Sequence, residues 1–301
     1  MKDPMKKKSN KTVIGVIQMA CSDVKKENDK KAESFIRKAA KAGANLICLP
    51  ELYQTRYFCQ TEESRIFDLA EVIPGKTVPH FQQLCKSLGV VLVLPVFEKR
   101  APGLYHNSVV IIDSDGSVAG IYRKMHIPDD PAYYEKYYFT PGDLGFKNFS
   151  TRFGNVGTLI CWDQWYPEGA RITALQGSEV LFYPTAIGWH PKEIDRYGTA
   201  QRDSWITIQR SHAIANGLYV GSANRIGLEK PTAESDGILF WGSSFISDPQ
   251  GVILSQAGTD TEEILTAELD RDHLETVRRN WPFLRDRRID AYHPITNRFL
   301  D

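Results

Sequence analysis

Short apolar runs alternate along this chain of 301 residues with longer segments whose apolar residues recur at helical spacing. Residues 13–19 have the composition of a buried strand, and residues 24–42 carry apolar residues on one face of a lysine-rich helix that ends at Gly43. Strands interleaved with helices predict an α/β fold. Further strands are predicted at 46–49, 90–97, 108–113, 118–122, 156–162, 180–183, 218–223, 238–246, 252–254 and 264–269, and the last two are predicted to pair with each other. Further helices are predicted at 78–88, 167–175, 200–216 and 271–279.

The pair Asp115-Gly116 separates two of these runs and predicts a hairpin, so the sheet is expected to be mixed rather than purely parallel. Proline and glycine are spread evenly and no repeat is visible, which favours one domain over residues 12–301. Its aromatic-rich end, from about 281 to 301, is predicted to be a docked arm. Residues 1–11 hold five lysines and one acid, a charge of +4, and are predicted to be a disordered basic leader.

Charge and composition exclude several classes of protein. Lysine plus arginine (37) equals aspartate plus glutamate (37), which argues against a nucleic-acid partner. No uncharged apolar run is long enough to span a bilayer, and the N-terminus lacks a signal-peptide pattern, so no membrane partner is expected. The five cysteines form no C-x-x-C pair, which favours free thiols and a cytoplasmic location. Zinc-helix and phosphate-loop motifs are missing from the sequence, so neither metal nor cofactor is predicted.

Cys161 stands at the end of a predicted strand and precedes the helix predicted to begin near Pro167. A thiol held at a strand-to-helix turn lies beside backbone N–H groups and a positive helix end, where it can act as a nucleophile. A buried structural cysteine is the alternative. Cys48 lies in an equally apolar run without such a turn, so position favours Cys161.

Three further charged residues are candidates, each with a plainer alternative. Glu51 follows the apolar run 46–50, where partial burial would raise its pKa toward that of a base, although a solvated loop is equally compatible. Lys124 follows a predicted strand and could stabilise negative charge, although most lysines are simply solvated. Glu135 lies among tyrosines at 133–139 and would need a cationic partner there, unless it points outward.

Taken together, these runs resemble the nitrilase superfamily of carbon–nitrogen hydrolases, from about Val13 to the 285–288 segment. The resemblance implies a catalytic triad of Glu51, Lys124 and Cys161. The family's second glutamate would be Glu135. Three signatures carry the resemblance in the family's order: LPE at 49–51, YRKMH at 122–126 and ICWDQWYPE at 160–168.

The resemblance also implies a four-layer α-β-β-α sandwich of two mixed sheets. Homo-oligomers would pair through helices into dimer-based assemblies of up to eight copies, with C-terminal arms crossing the interface. In the implied reaction Glu51 accepts the Cys161 proton, the thiolate attacks an amide or ureido carbon, and Lys124 with the N–H of Trp162 stabilises the oxyanion. Water then hydrolyses the thioester.

Within the family, the sequence looks like the N-carbamoylputrescine amidase branch, whose substrate is a small carbamoyl-amine. Runs 57–60, 161–168, 182–188 and 224–227 carry that likeness. A substrate carboxylate would call for arginine, yet no basic group follows Cys161 before Arg171, whereas an acid and aromatic rings suit an ammonium. The predicted substrate-binding residues are Tyr57, His126, Trp162, Asp163, Ala186 and Trp189.

Two alternatives stay open at this point. One is another nitrilase-family amidohydrolase: a β-ureidopropionase, an N-carbamoyl amino acid amidohydrolase or an aliphatic amidase. The other is a non-catalytic interaction protein on the same scaffold, which the intact triad disfavours.

Overall fold

The structure is a computed structural model that describes residues 11–300. The leader predicted over residues 1–11 lies outside this range apart from Lys11. The strands of the described chain are Thr12–Gln18 (β1), Leu46–Cys48 (β2), Val91–Ala101 (β3), Leu104–Ile112 (β4), Val118–Arg123 (β5), Asn148–Thr151 (β6), Gly154–Thr158 (β7), Val180–Pro184 (β8), Gly188–Trp189 (β9), Tyr219–Ala223 (β10), Ile226–Glu229 (β11), Ile238–Trp241 (β12), Phe245–Ser247 (β13), Ile253–Gln256 (β14) and Glu263–Leu269 (β15). The α-helices are Lys25–Lys41 (α1), Thr77–Leu88 (α2), Glu135–Tyr138 (α3), Pro167–Leu175 (α4), Ile194–Asn216 (α5) and Arg271–Asn280 (α6).

Two six-stranded mixed sheets form the centre of the fold. The first has the order β15-β1-β2-β3-β4-β5, with β1, β2 and β3 parallel and the outer strands antiparallel. The second has the order β14-β13-β10-β8-β7-β6, with β7, β8 and β10 parallel. A small third sheet, β11-β12-β9, lies beside them. The predicted mixed α/β architecture is confirmed.

Side chains along β1 point alternately to the two faces of the first sheet, and each face packs against a different layer. Ile14 and Val16 share one face of the strand and pack with Val180 and Val220 of the second sheet. Ile17 points to the opposite face, in a separate cluster with Ile36 of α1. Helices α1 and α2 therefore cover the first sheet, and α4 and α5 pack against the second, giving the expected α-β-β-α order.

Several predicted elements differ from those observed. The strand predicted at 156–162 ends at Thr158, so Cys161 lies in the following turn, and the helix predicted from residue 200 begins at Ile194. The strand predicted at 238–246 is two strands, because Gly242 and Ser243 both adopt positive φ (53° and 54°). The last predicted strand pair is wrong: β14 pairs with β13 in the second sheet, whereas β15 pairs with β1 in the first.

After α6 the chain continues through two short 3-10 turns, Ile289–Ala291 and His293–Thr296. Its apolar side chains are largely exposed, with Phe299 at 84% and Ile289 at 74%. Across residues 11–300, no helix combines the length and apolar character that crossing a membrane requires.

Candidate active site

Three strand ends bring the predicted catalytic residues together. Glu51 follows β2, Lys124 comes directly after β5, and Cys161 follows β7 of the facing sheet. Glu51 and Lys124 are fully buried and Cys161 is 4% exposed, so none of the three is an ordinary surface group. The alternative of solvated side chains is therefore excluded for Glu51 and Lys124.

Lys124 bridges two buried carboxylates. Its Nζ donates to Glu51 Oε1 at 2.8 Å and to Glu135 Oε2 at 2.6 Å. Glu135 is fully buried at the start of α3, and its second oxygen accepts from the hydroxyl of Tyr57 at 2.7 Å. The cationic partner that a buried Glu135 requires is thus Lys124.

Burial and the neighbouring charges shift the pKa of Lys124 and the pKa of Glu135. Burial alone would lower the pKa of Lys124, but the charges of Glu135 and Glu51 outweigh burial and hold that pKa well above its usual range. The pKa of Glu135 rises to about 7, because burial and the charge of Glu51 outweigh the attraction of Lys124. Lys124 therefore remains an ammonium, and Glu135 titrates near neutrality.

Asn107 on β4 holds both Glu51 and Lys124. Its side chain donates to Glu51 Oε1 at 2.7 Å, and its carbonyl accepts from the backbone N–H of Lys124 at 2.9 Å. The carbonyl of Lys124 accepts from the N–H of Gly142 at 2.8 Å. A Cβ at Gly142 would lie 2.2 Å from the carbonyl oxygen of Arg123, so only glycine permits this approach. Asn107 is not among the residues predicted from the sequence, although an amide within an apolar strand is a usable signal.

The turn at Cys161 has an unusual backbone. Cys161 adopts φ = 43°, a left-handed conformation that is uncommon for a residue with a side chain, and begins a 3-10 helix over Cys161–Trp165. At the start of a helix the N–H groups have no intrahelical partner, so the N–H of Trp162 is available to an oxyanion. The Cys161 thiol points toward the carbonyl of Ala186, with a sulfur–oxygen distance of 3.7 Å.

The resting thiol is neutral. Burial raises the pKa of Cys161 well above its usual range, the charge of Glu51 raises it further, and Lys124 offsets only part of this. Glu51 Oε2 is buried and has no hydrogen-bond partner within the described structure, although Oε1 has two. A buried carboxylate oxygen with a free lone pair is suited to accept a proton.

Asp163 binds several groups of the protein itself. Its carboxylate is fully buried and accepts from the hydroxyl of Tyr122 at 2.7 Å and from the N–H of Ile160 at 2.9 Å. It also accepts from the N–H of His126 at 2.9 Å and contacts His126 Nδ1 at 2.7 Å. With its oxygens engaged by protein donors, Asp163 braces the turn that carries Cys161, and its contact with a substrate stays a prediction.

The other predicted substrate-binding residues divide into two groups. Trp162 and Ala186 line the cavity at Cys161. Tyr57, His126 and Trp189 do not line it: Tyr57 is bound to Glu135, His126 stacks on a tyrosine ring (centroids 3.7 Å apart), and Trp189 donates to a backbone carbonyl of α5. The structure therefore places these three side chains outside the cavity lining, and their contact with substrate stays a prediction.

The cavity that reaches Cys161 has a volume of about 520 Å³. Asp130 and Glu193 are among its lining residues, and within residues 11–300 no lysine or arginine lines it. Its lining residues are Pro128, Asp130, Pro131, Tyr133, Cys161, Trp162, Trp165, Ala186, Ile187, Gly188, His190, Glu193, Tyr197, Ala200, Gln201, Ser204 and Trp241. Over the same residue range, the structure contains no cluster of histidine, cysteine and carboxylate side chains that could hold a metal ion.

Known proteins match this chain over most of its length. The family model described as Carbon-nitrogen hydrolase matches residues 13–279. An N-carbamoylputrescine amidase of Solanum lycopersicum is 45% identical over 96% of each chain, and a citrullinase of Francisella tularensis is 42% identical over 95% of this chain and 98% of the relative. A crystal structure of a carbon-nitrogen hydrolase from Helicobacter pylori G27 has a TM-score of 0.92 at 48% identity, covering 96% of this chain and all of that one.

Proposed function

The chain belongs to the carbon–nitrogen hydrolase family, and from this premise we propose that it is a cysteine-dependent amidohydrolase of N-carbamoylputrescine. With one water, the ureido group of that substrate would yield putrescine, CO2 and ammonia. The observation that carries the reaction type is the buried group in which Lys124 joins Glu51 and Glu135 beside Cys161. Related N-carbamoylputrescine amidases from plants, at about 44–45% identity over most of the chain, support the substrate.

In the proposed reaction, Glu51 takes the proton of the Cys161 thiol as the sulfur attacks the ureido carbon. The carbonyl oxygen becomes an oxyanion, which the Lys124 ammonium and the N–H of Trp162 stabilise. Glu51 then gives the proton to the departing amine or ammonia, which leaves a carbamoyl thioester on Cys161. A water that Glu51 deprotonates attacks the thioester carbon, and the Cys161 sulfur leaves and regains its proton from Glu51. The released carbamic acid breaks down to CO2 and the second nitrogen product. Glu135 is a positioning residue that holds Lys124.

The cavity wall supports a cationic tail. Asp130 and Glu193 supply negative charge, and the rings of Trp162, Trp165 and Tyr197 supply aromatic surface. Both features attract an alkylammonium. A terminal carboxylate would instead require an arginine or lysine for charge pairing. We therefore assign tail recognition to this wall rather than to Asp163.

A substrate panel tests the proposal. Initial rates are measured on N-carbamoylputrescine, N-carbamoyl-β-alanine, L-citrulline and a simple aliphatic amide, with release of ammonia as the readout. N-carbamoylputrescine is expected to give the highest kcat/KM. A higher value for either ureido acid would overturn the substrate assignment and favour a citrullinase-like or β-ureidopropionase-like enzyme.

Cys161→Ala tests the nucleophile, with Cys85→Ala as its control, since Cys85 is an equally buried free thiol on α2. Cys161→Ala is expected to fold and to lose turnover, and Cys85→Ala to retain it. Labelling of Cys161 by a thiol reagent, blocked by substrate, separates an enzyme from a non-catalytic protein on the same scaffold. Retained turnover in Cys161→Ala would refute the assignment.

We further propose that the protein forms dimer-based homo-oligomers of up to eight copies in the cytoplasm. Exposed apolar side chains on the segment after α6, among them Ile289, Ile295 and Phe299, support a partner surface there. Five free, buried thiols in the described chain suit a reducing compartment. Light scattering on the full chain and on a chain ending at Asn280 tests assembly: the truncated chain is expected to form smaller particles, and a monomeric full chain would contradict the proposal.

A further inference from the structure

The segment from Glu51 to Tyr57 controls both glutamates of the site. Glu51 begins it and contacts Lys124 directly. Tyr57 ends it, and its hydroxyl donates to Glu135, the second carboxylate on Lys124. The position of this segment therefore affects both carboxylates around the ammonium, Glu51 directly and Glu135 through the hydroxyl of Tyr57.

Arg225, between β10 and β11, binds the first part of that segment. It is fully buried, and its Nη2 donates to the carbonyls of Glu51 at 2.7 Å and Leu52 at 2.8 Å. Its Nη1 donates to the carbonyl of Thr55 at 3.1 Å. Leu52 needs such support because it adopts a left-handed backbone, with φ = 48°.

Glu229, at the end of β11, binds the last part. Its Oε2 accepts from the backbone N–H of Tyr57 at 2.5 Å, and it is 3% exposed. The same carboxylate pairs with Arg225, whose Nη1 lies 3.0 Å from Glu229 Oε1. The guanidinium of Arg225 also lies 6.0 Å from the ring centroid of Tyr57. One buried ion pair thus holds both ends of the segment.

The geometry points to the Arg225–Glu229 pair as a positioning device that holds Glu51 and Glu135 in register with Lys124. This inference rests on the proposed amidohydrolase function. A buried ion pair adds little stability relative to apolar side chains of similar size. Its directional contacts, in contrast, cannot be reproduced by lysine, which lacks the planar fork that reaches three carbonyls and a carboxylate. The pair is therefore suited to fixing geometry.

Three variants test the inference: Glu229→Gln, Arg225→Lys and the double variant Arg225→Met with Glu229→Leu. The matched control is Glu275→Gln, which removes one partner of the exposed Arg279–Glu275 pair. Each is assayed below its melting temperature, and kcat and KM are measured separately across pH. We expect folded variants to lose about tenfold or more in kcat, with KM changed much less and the pH profile shifted, whereas the control is unchanged.

The rate of Cys161 alkylation across pH is the second readout, because it needs no substrate. A wild-type protein that does not hydrolyse N-carbamoylputrescine would defeat the proposed function, while a shifted alkylation profile in the variants would still support the positioning role. Folded variants with wild-type kcat and wild-type alkylation profile would overturn the inference. Failure of all three variants to fold would also overturn it, by assigning the pair to folding alone.

Discussion

The ammonium of Lys124 lies 2.6 Å from Glu135 and is the cation on which that buried carboxylate depends. The burial of Glu135 has a consequence for pH, because burial and the charge of Glu51 outweigh the attraction of Lys124. The pKa of Glu135 is raised to about 7 from 4.5, so the folded protein binds a proton in a range where the unfolded chain has released it. The stabilising contribution of this proton is complete below about 4.5 and is lost as pH rises through about 7.

Glu135→Gln should therefore flatten the dependence of stability on pH. We expect the free energy of unfolding of the wild type to fall more steeply between these two pH values than that of Glu135→Gln, since glutamine has no proton to lose. Urea unfolding across the window measures this difference. Glu275→Gln, at an exposed position, is the control and should follow the wild type. Parallel curves for the wild type and Glu135→Gln would show that Glu135 does not titrate there.

Glu51→Gln should have opposite effects on thiol acidity and on catalysis. The negative charge of Glu51 raises the pKa of Cys161, so its removal should lower that pKa and increase the thiolate fraction. Loss of the base should nevertheless reduce kcat by about 100-fold or more. Alkylation rates of Cys161 across pH, together with steady-state kinetics, check both parts. A variant with an unchanged alkylation profile and normal kcat would remove Glu51 from the mechanism.

Asp163→Asn should destabilise the turn at Cys161 without altering tail recognition. The buried carboxylate accepts from Tyr122, Ile160 and His126, and losing charged hydrogen bonds of this kind costs about 1–3 kcal/mol. We expect a lower free energy of unfolding and a lower kcat on every substrate in the panel. A rise in KM confined to N-carbamoylputrescine would instead restore Asp163 as a substrate ligand.

Asp130→Asn and Glu193→Gln should weaken binding of a cationic tail specifically. Both side chains are exposed at the cavity wall, so each is expected to raise KM for N-carbamoylputrescine by only about two- to fivefold. KM for an uncharged aliphatic amide should stay the same, and added salt should reduce the effect. Equal changes in KM for charged and uncharged substrates would show that neither carboxylate recognises the charge of the tail.

Sequence patterns predicted most of the parallel strands, because buried strands are continuous apolar runs and the catalytic candidates follow where those runs stop. Cys161, Glu51 and Lys124 could be predicted in this way. The role of Asp163 in bracing the turn could not be, since its partners Tyr122 and His126 come from an earlier strand end that no local pattern connects to it. Arg225 was missed for the same reason, because the carbonyls that it binds lie at least 170 residues away in the chain.

Strand pairing near the C-terminus is a second feature that sequence patterns do not predict. Residues 252–254 and 264–269 look like a hairpin because they are close in sequence. The segment between them crosses from one sheet to the other, where β14 joins β13 and β15 joins β1. Which sheet a strand joins depends on long-range packing, and apolar periodicity carries no information about it.

The left-handed backbone at Cys161, φ = 43°, restricts how this enzyme could evolve. Serine could replace the thiol with the same backbone, since it branches no further at Cβ than cysteine does. Threonine could not, because β-branched side chains clash in this region of conformational space. The backbone at residue 161 therefore permits replacement of the thiol by the primary alcohol of serine, but not by the secondary alcohol of threonine.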